Sequence, residues 1–270
     1  MGLFVKNFSK PGKGVDKEEQ QKRPFFLFFE LYFSKFWKMI QLNLLYLLFW
    51  VPPIAASAFM TKINPNLAYL LFFLIAAFTA GPATAGAVYV LRCYTTRTPV
   101  FLFSDFWQQF RENYKQSVGA FLFNAVALFA CYASFNVYSQ LMPSGVLSFL
   151  IRAAIILMAV VLAFETFHVF LMIVTVELKL RDIIKNCLMF VVLNLWRNIC
   201  TLVFAGVFLW LEYKLYPLSV LVLPFIGLVI PLFIMTFNAY PAVKKYAIDP
   251  YYEQNGKPEE EEAIFEDVRY

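Results

Sequence analysis

Two side chains in this sequence have types and spacing suited to chemistry: Glu165 and His168, one helical turn apart in an apolar segment with Thr166 between them. Ionisable groups at bilayer depth are costly and mark candidate sites, so the pair could handle a proton or a polar solute. The plainer reading places His168 near an interface and pairs Glu165 with a neighbour, and both readings stand at this stage. A Glu-x-x-His step also occurs in di-iron bundles, which draw a second such step and two further glutamates from the same bundle. The sequence has a single histidine and no such set, so neither a metal nor a cofactor is expected. Walker, H-E-x-x-H and G-x-S-x-G motifs are absent, and one histidine would have to serve every acid–base role. The expectation is a non-enzyme without catalytic residues.

The elements that must position Glu165 and His168 follow from composition. The 270 residues are 61% hydrophobic, 19% aromatic and 15% charged, against roughly 45–50% apolar and about 25% charged in soluble domains. Apolar runs near the length needed to cross about 30 Å of hydrocarbon recur along the chain. The fold class expected is an all-α membrane protein with six transmembrane helices, at about 39–60, 67–91, 117–138, 146–176, 199–215 and 218–240. Pro52-Pro53, Pro82, Pro224 and Pro231 are the expected kinks. The start, Met1-Gly2-Leu3-Phe4-Val5-Lys6, fits neither a signal peptide nor an acylation site. Residues 1–24 read as a basic, flexible lead, 25–243 as the membrane domain and 244–270 as an acidic tail ending in Glu259-Glu260-Glu261-Glu262. Cys93, Cys131, Cys187 and Cys200 show no paired spacing and read as small buried hydrophobes.

Two shorter stretches keep helical apolar spacing but are too polar to span. One, at about 104–115, has Ser104 as N-cap, Asp105 in its first turn and Phe103, Phe106, Trp107, Phe110 and Tyr114 on one face. The other, at about 180–196, repeats the pattern with Leu180, Ile183, Ile184, Cys187, Leu188, Val191 and Leu195. Charge bias orients the set: with the N-terminus inside, 20 of the 23 Lys and Arg residues fall on the cytoplasmic side, leaving Lys62, Arg152 and Lys214 outside. Both termini and both amphipathic helices are therefore expected in the cytoplasm, the latter in the membrane interface against lipid.

The order span, amphipathic helix, span occurs twice. Asp105-Phe106-Trp107-Gln108 answers Asp182-Ile183-Ile184-Lys185, and Asn113-Tyr114-Lys115-Gln116 answers Asn194-Leu195-Trp196-Arg197-Asn198, which points to an internal parallel repeat. Either the amphipathic helices are connectors that fix the angles of their spans, or they form a docking surface through Asp105, Arg111, Glu112, Asn113, Lys115, Lys179, Arg181 and Lys185. Between the spans, Ala80-Gly81-Pro82-Ala83-Thr84-Ala85-Gly86 supplies small residues that let helices approach closely in lipid, so Gly81, Pro82, Ala85 and Gly86 are expected at a packing centre. Asn43, Asn124, Asn136 and Asn238 are expected to bridge helices.

Leu42-Asn43-Leu44-Leu45-Tyr46, Pro52-Pro53, the run from Ala80 to Gly86, Tyr89-Val90-Leu91-Arg92 and the stretch from Asp105 to Gln116 together resemble the YesL family of bacterial membrane proteins, most clearly over about residues 39–120. That family is largely uncharacterised, and its members are commonly encoded beside carbohydrate uptake systems of Gram-positive bacteria. The resemblance implies a cell-membrane accessory or scaffold protein for sugar import, with a carbohydrate ABC transporter or another membrane protein as partner and no nucleic acid. The alternative is a stand-alone small-solute transporter or channel using Glu165 and His168. The chain is not expected to be a permease subunit itself, because its loops lack the Glu-Ala-Ala motif that grips the ATPase.

Overall fold

The computed structural model describes residues 24–142 and 144–255. The basic lead up to Arg23, Pro143 between the expected third and fourth spans, and the Glu-rich end of the expected tail lie outside the described residues. The helices are α1 (Pro24–Ser34), α2 (Phe36–Leu48), α3 (Val51–Thr61), α4 (Pro65–Thr96), α5 (Leu102–Glu112), α6 (Tyr114–Leu141) and α7 (Val146–Ile173). They continue as α8 (Leu180–Leu193), α9 (Leu195–Lys214), α10 (Ser219–Val222), α11 (Val229–Val243) and α12 (Asp249–Asn255), with π-helical turns at Leu223–Gly227 and Lys244–Ile248. There is no strand among the described residues.

Four helices, α4, α6, α7 and α9, are long and apolar enough to cross a membrane, and there are six if each of two bent pairs counts as one span. Their outward surfaces carry exposed apolar side chains such as Phe129, Leu157 and Val203, a surface suited to lipid. The chain is an all-α, multi-pass membrane protein.

The bends do not fall where prolines alone would put them. The first pair, α2 and α3, turns by about 40° at Phe49-Trp50, ahead of Pro52-Pro53. Those prolines sit in the first turn of α3, where a missing N–H is no loss. The last pair turns by 41° around the π-helical turn that contains Pro224, whereas Pro231 falls in the first turn of α11 and Pro82 lies inside an unbroken α4. The amphipathic helices also differ in extent from the sequence pattern. Each ends at an asparagine that caps both it and the following span, Asn113 between α5 and α6 and Asn194 between α8 and α9. Tyr114 and Leu195 therefore belong to spans, although the apolar stripe runs straight through the joint. Beyond Val243 the chain stays helical to Asn255, so the first part of the segment read as tail is structured.

The centre of the bundle is α4, which packs against α3, α5, α6, α7 and α11. From Ala80 to Val88 every residue is buried. Gly81 and Gly86 serve different neighbours. A Cβ on Gly81 would lie 3.2 Å from the Ser117 carbonyl oxygen and 3.3 Å from Phe121 Cβ, so this position admits α6. A Cβ on Gly86 would lie 2.7 Å from the Phe106 carbonyl oxygen, so this one admits α5. Small side chains thus set backbone approach in two directions at once.

Candidate functional site

The residues singled out by the sequence fall into two regions, one inside the bundle and one at the end where α5 and α8 lie. Inside, α7 carries Phe164, Glu165, Phe167 and His168, all buried, with Glu165 and His168 wholly inaccessible. The two ionisable groups do not act on each other; they point at different neighbours.

His168 is held in place. Its Nδ1 donates to the Phe164 carbonyl oxygen at 2.9 Å, which leaves Nε2 to accept from Asn194 Nδ2 at 3.4 Å. Asn194 Nδ2 also reaches the Asn238 carbonyl oxygen at 3.5 Å, and the Phe190 ring lies 5.6 Å from the imidazole. A carbonyl can only accept, so the Phe164 contact places a proton on Nδ1. His168 thereby ties α7 to the α8–α9 joint and to α11, the role of a structural junction.

Glu165 has no such partners. Both carboxyl oxygens are buried without a hydrogen bond, and Asn124 faces them from α6 with both of its own side-chain polar atoms equally unpaired. From α8, Cys187 approaches the same group, and burial pushes its thiol above the usual range. Among the described residues no group of three or more His, Cys, Asp and Glu side chains could hold a metal ion.

At the α5–α8 end, two long side chains draw the units together. Arg92, at the end of α4, donates to the Val174 carbonyl oxygen at 3.0 Å and to Thr175 Oγ1 at 3.2 Å, with its guanidinium over the Tyr89 ring. Gln116, at the start of α6, donates to the Leu178 carbonyl oxygen at 3.0 Å. The α7–α8 connection is thus held by both α4 and α6, which puts α5 and α8 at one end of the bundle. Arg97 pairs with Glu30 at 3.3 Å and brings α1 to the same end.

The charged residues expected on these helices behave unequally. The helix begins at Leu102 with Phe101 as its N-cap residue, so Ser104 lies inside the first turn, and Asp105 Oδ2 reaches back to accept from the Phe101 backbone N–H at 2.9 Å. Glu112 accepts from Gln108 and Gln109, Asn113 donates to Gln109, and Arg111 lies over the Trp107 ring at 5.0 Å. Lys185 pairs loosely with Asp182 at 3.9 Å. Lys115, Lys179 and Arg181 are exposed. The inward face of α5 is Leu102 and Phe106; Phe103 and Trp107, expected on the same face, are 62% and 42% exposed. A shallow groove of about 580 Å³ runs along this outer face between Phe103, Ser104, Trp107, Gln108, Arg111 and Glu112.

Two contributors were not legible as site residues. Asn43 does bridge helices, but through the backbone: it donates to the Leu223 and Pro224 carbonyl oxygens at 2.8 and 2.7 Å and accepts from the Leu228 and Val229 N–H groups at 3.0 and 2.9 Å. It fills the break in the last span. Glu212, on α9, turns Oε1 toward Gly227 with no hydrogen-bond partner. The sequence signal available was the i, i+3 pair Asn43 and Tyr46, which share a face of α2, the tyrosine hydroxyl meeting Thr84 Oγ1 at 2.7 Å.

No curated protein and no solved structure matches the chain. Residues 62–135, which comprise α4, α5 and most of α6, match one family model, so over the stretch that contains the packing centre and the first amphipathic helix the chain is similar to the family described as "Protein of unknown function, DUF624".

Proposed function

We propose that the chain is a non-enzymatic accessory membrane protein that docks onto a carbohydrate ABC import system through the outer faces of α5 and α8 on the cytoplasmic side of the cell membrane. The observation that carries this reading is the fixing of two amphipathic helices at one end of the bundle by Arg92 and Gln116. Arg111, Lys179, Arg181 and Lys185 stand exposed there. An interface-lying helix explains its apolar stripe by membrane contact, but a charged outer face is available to a partner. The YesL-like residues supply the kind of partner, and the excess of Lys and Arg at this end supplies the side. Reversing charge at Arg111, Lys179 and Arg181 together should release a co-purifying importer while the protein stays folded in detergent. Retention of the same partner would overturn the proposal.

A second reading, a stand-alone small-solute carrier, is favoured by one observation, the unpartnered Glu165 carboxyl in α7. His168 does not add to it, being engaged by Phe164 and Asn194. Flux of sugars or protons into liposomes containing this protein alone is its expected result, and flux no greater than lipid background would count against it.

A further inference from the structure

Four unpaired polar atoms meet at the seam between α6 and α7: Asn124 Oδ1 and Nδ2, and Glu165 Oε1 and Oε2. Both side chains are more than nine-tenths buried, and the amide faces the carboxyl. Buried polar groups in folded proteins are almost always paired. The hydrogen-bonding inventories decide which pairing is available. A carboxylate only accepts, so it could take an N–H from Asn124 but would leave Asn124 Oδ1 facing a second acceptor. A neutral carboxylic acid has one donor and one acceptor, as does the facing edge of a primary amide. Such an acid can donate its O–H to Asn124 Oδ1 and accept from Asn124 Nδ2 through its carbonyl oxygen, so one proton suffices to pair all four atoms.

The surroundings offer nothing that competes. From α8 the titratable neighbour is the Cys187 thiol, a weak donor. On α7 itself His168 is turned to Phe164 and Asn194. Around Phe164 and Phe167 the neighbours from α8 and α11 are the apolar Val191 and Met235. Among the described residues no Lys or Arg is paired with Glu165.

We propose that Glu165 and Asn124 form a binding site for a single proton, an acid–amide pair that clasps α6 to α7 and so joins the two span–helix–span units. The site requires neither docking nor transport, and it can be read without a partner or a gradient. Loss of the proton leaves two facing acceptors and opens the clasp, so the wild-type protein is held together better at low pH than at high pH. Infrared spectroscopy of the purified full chain in lipid nanodiscs, titrated from mildly acidic to mildly alkaline pH, tests this. The expected result is a neutral carboxylic acid band that is lost in Glu165→Gln, is retained in Glu212→Gln, and is shifted in Asn124→Ala. In thermal melts, Glu165→Gln should hold its midpoint across that pH range, because a Gln–Asn pair makes the same two hydrogen bonds without a titrating proton, while the wild-type midpoint falls as pH rises. A spectrum from which Glu165→Gln removes no acid band at any pH overturns the proposal. So does a band that Asn124→Ala leaves unshifted, a result that stands even if the glutamine variant fails to fold.

Discussion

Replacing Asn43 by leucine should destabilise the bundle by removing the partner of a broken helix. The asparagine amide makes four hydrogen bonds across the π-helical turn, donating to Leu223 and Pro224 and accepting from Leu228 and Val229. Leucine is close in volume and keeps the contact between α2 and the turn, so the loss is almost wholly polar. Hydrogen bonds between membrane helices average about 0.6 kcal/mol, which puts the smaller expectation for the set of four at ~2 kcal/mol. Leaving buried backbone groups unpaired costs about 1–3 kcal/mol each, but the Leu228 N–H can regain an ordinary helical acceptor if the turn tightens, so ~4 kcal/mol is the larger expectation. Asn43→Asp should fall between wild type and leucine. Its oxygens still accept from Leu228 and Val229, but they face the Leu223 and Pro224 carbonyls without a proton to offer. The assay is reversible denaturation in mixed micelles, with tryptophan fluorescence as the probe. A leucine variant within about 0.5 kcal/mol of wild type would refute the reasoning, because that is the range of substitutions that touch no special feature.

Other consequences can be checked in parallel. Gly86→Ala should destabilise by about 1–3 kcal/mol, since its Cβ would meet the Phe106 backbone at 2.7 Å and backbone cannot swing aside; Gly81→Ala, at 3.2 Å, should cost less, and chemical denaturation reads both. Arg92→Ala should free the connection after α7, so amide exchange at Thr175 to Leu178 should quicken while that of α4 holds. In detergent Cys131, half-buried, should react with a maleimide well before Cys187, whose buried thiol is held in the unreactive protonated form up to strongly alkaline pH.

What the sequence made legible, and what it did not, divides along physical lines. Spans are written in bulk hydropathy, which survives any detail of packing, so α4, α6, α7 and α9 could be placed from composition. Kinks are written in hydrogen bonding, which depends on where a proline falls relative to a helix start. Pro52, Pro53 and Pro231 lie in first turns, where they disturb nothing, and only Pro224 sits at a bend, because Asn43 from a distant helix holds the freed backbone groups. The pairing of Glu165 with His168 by spacing was too coarse. Three residues advance a helix by about 300°, so the two side chains lie about 60° apart. With α6 on one side and Asn194 of the α8–α9 joint on the other, that is enough to send them to different partners. On α5 the stripe divides between two surroundings: Leu102 and Phe106 turn into the bundle, while Phe103 and Trp107 stay exposed, as a helix lying against lipid would leave them. The end of α5 was hidden because Asn113 breaks the helix while the apolar spacing continues into Tyr114.

The central claim is that the outer faces of α5 and α8 meet a partner protein. Photo-crosslinking in living cells tests it most directly, with a photoreactive amino acid placed singly at Gln108 on α5 and at Lys185 on α8, both exposed, and at outward-facing Phe129 on α6 as the lipid-side control. Adducts to subunits of a carbohydrate ABC importer from Gln108 and Lys185, and none from Phe129, is the expected result. Crosslinks from Gln108 and Lys185 to lipid alone would contradict it and return both helices to the role of membrane-lying connectors.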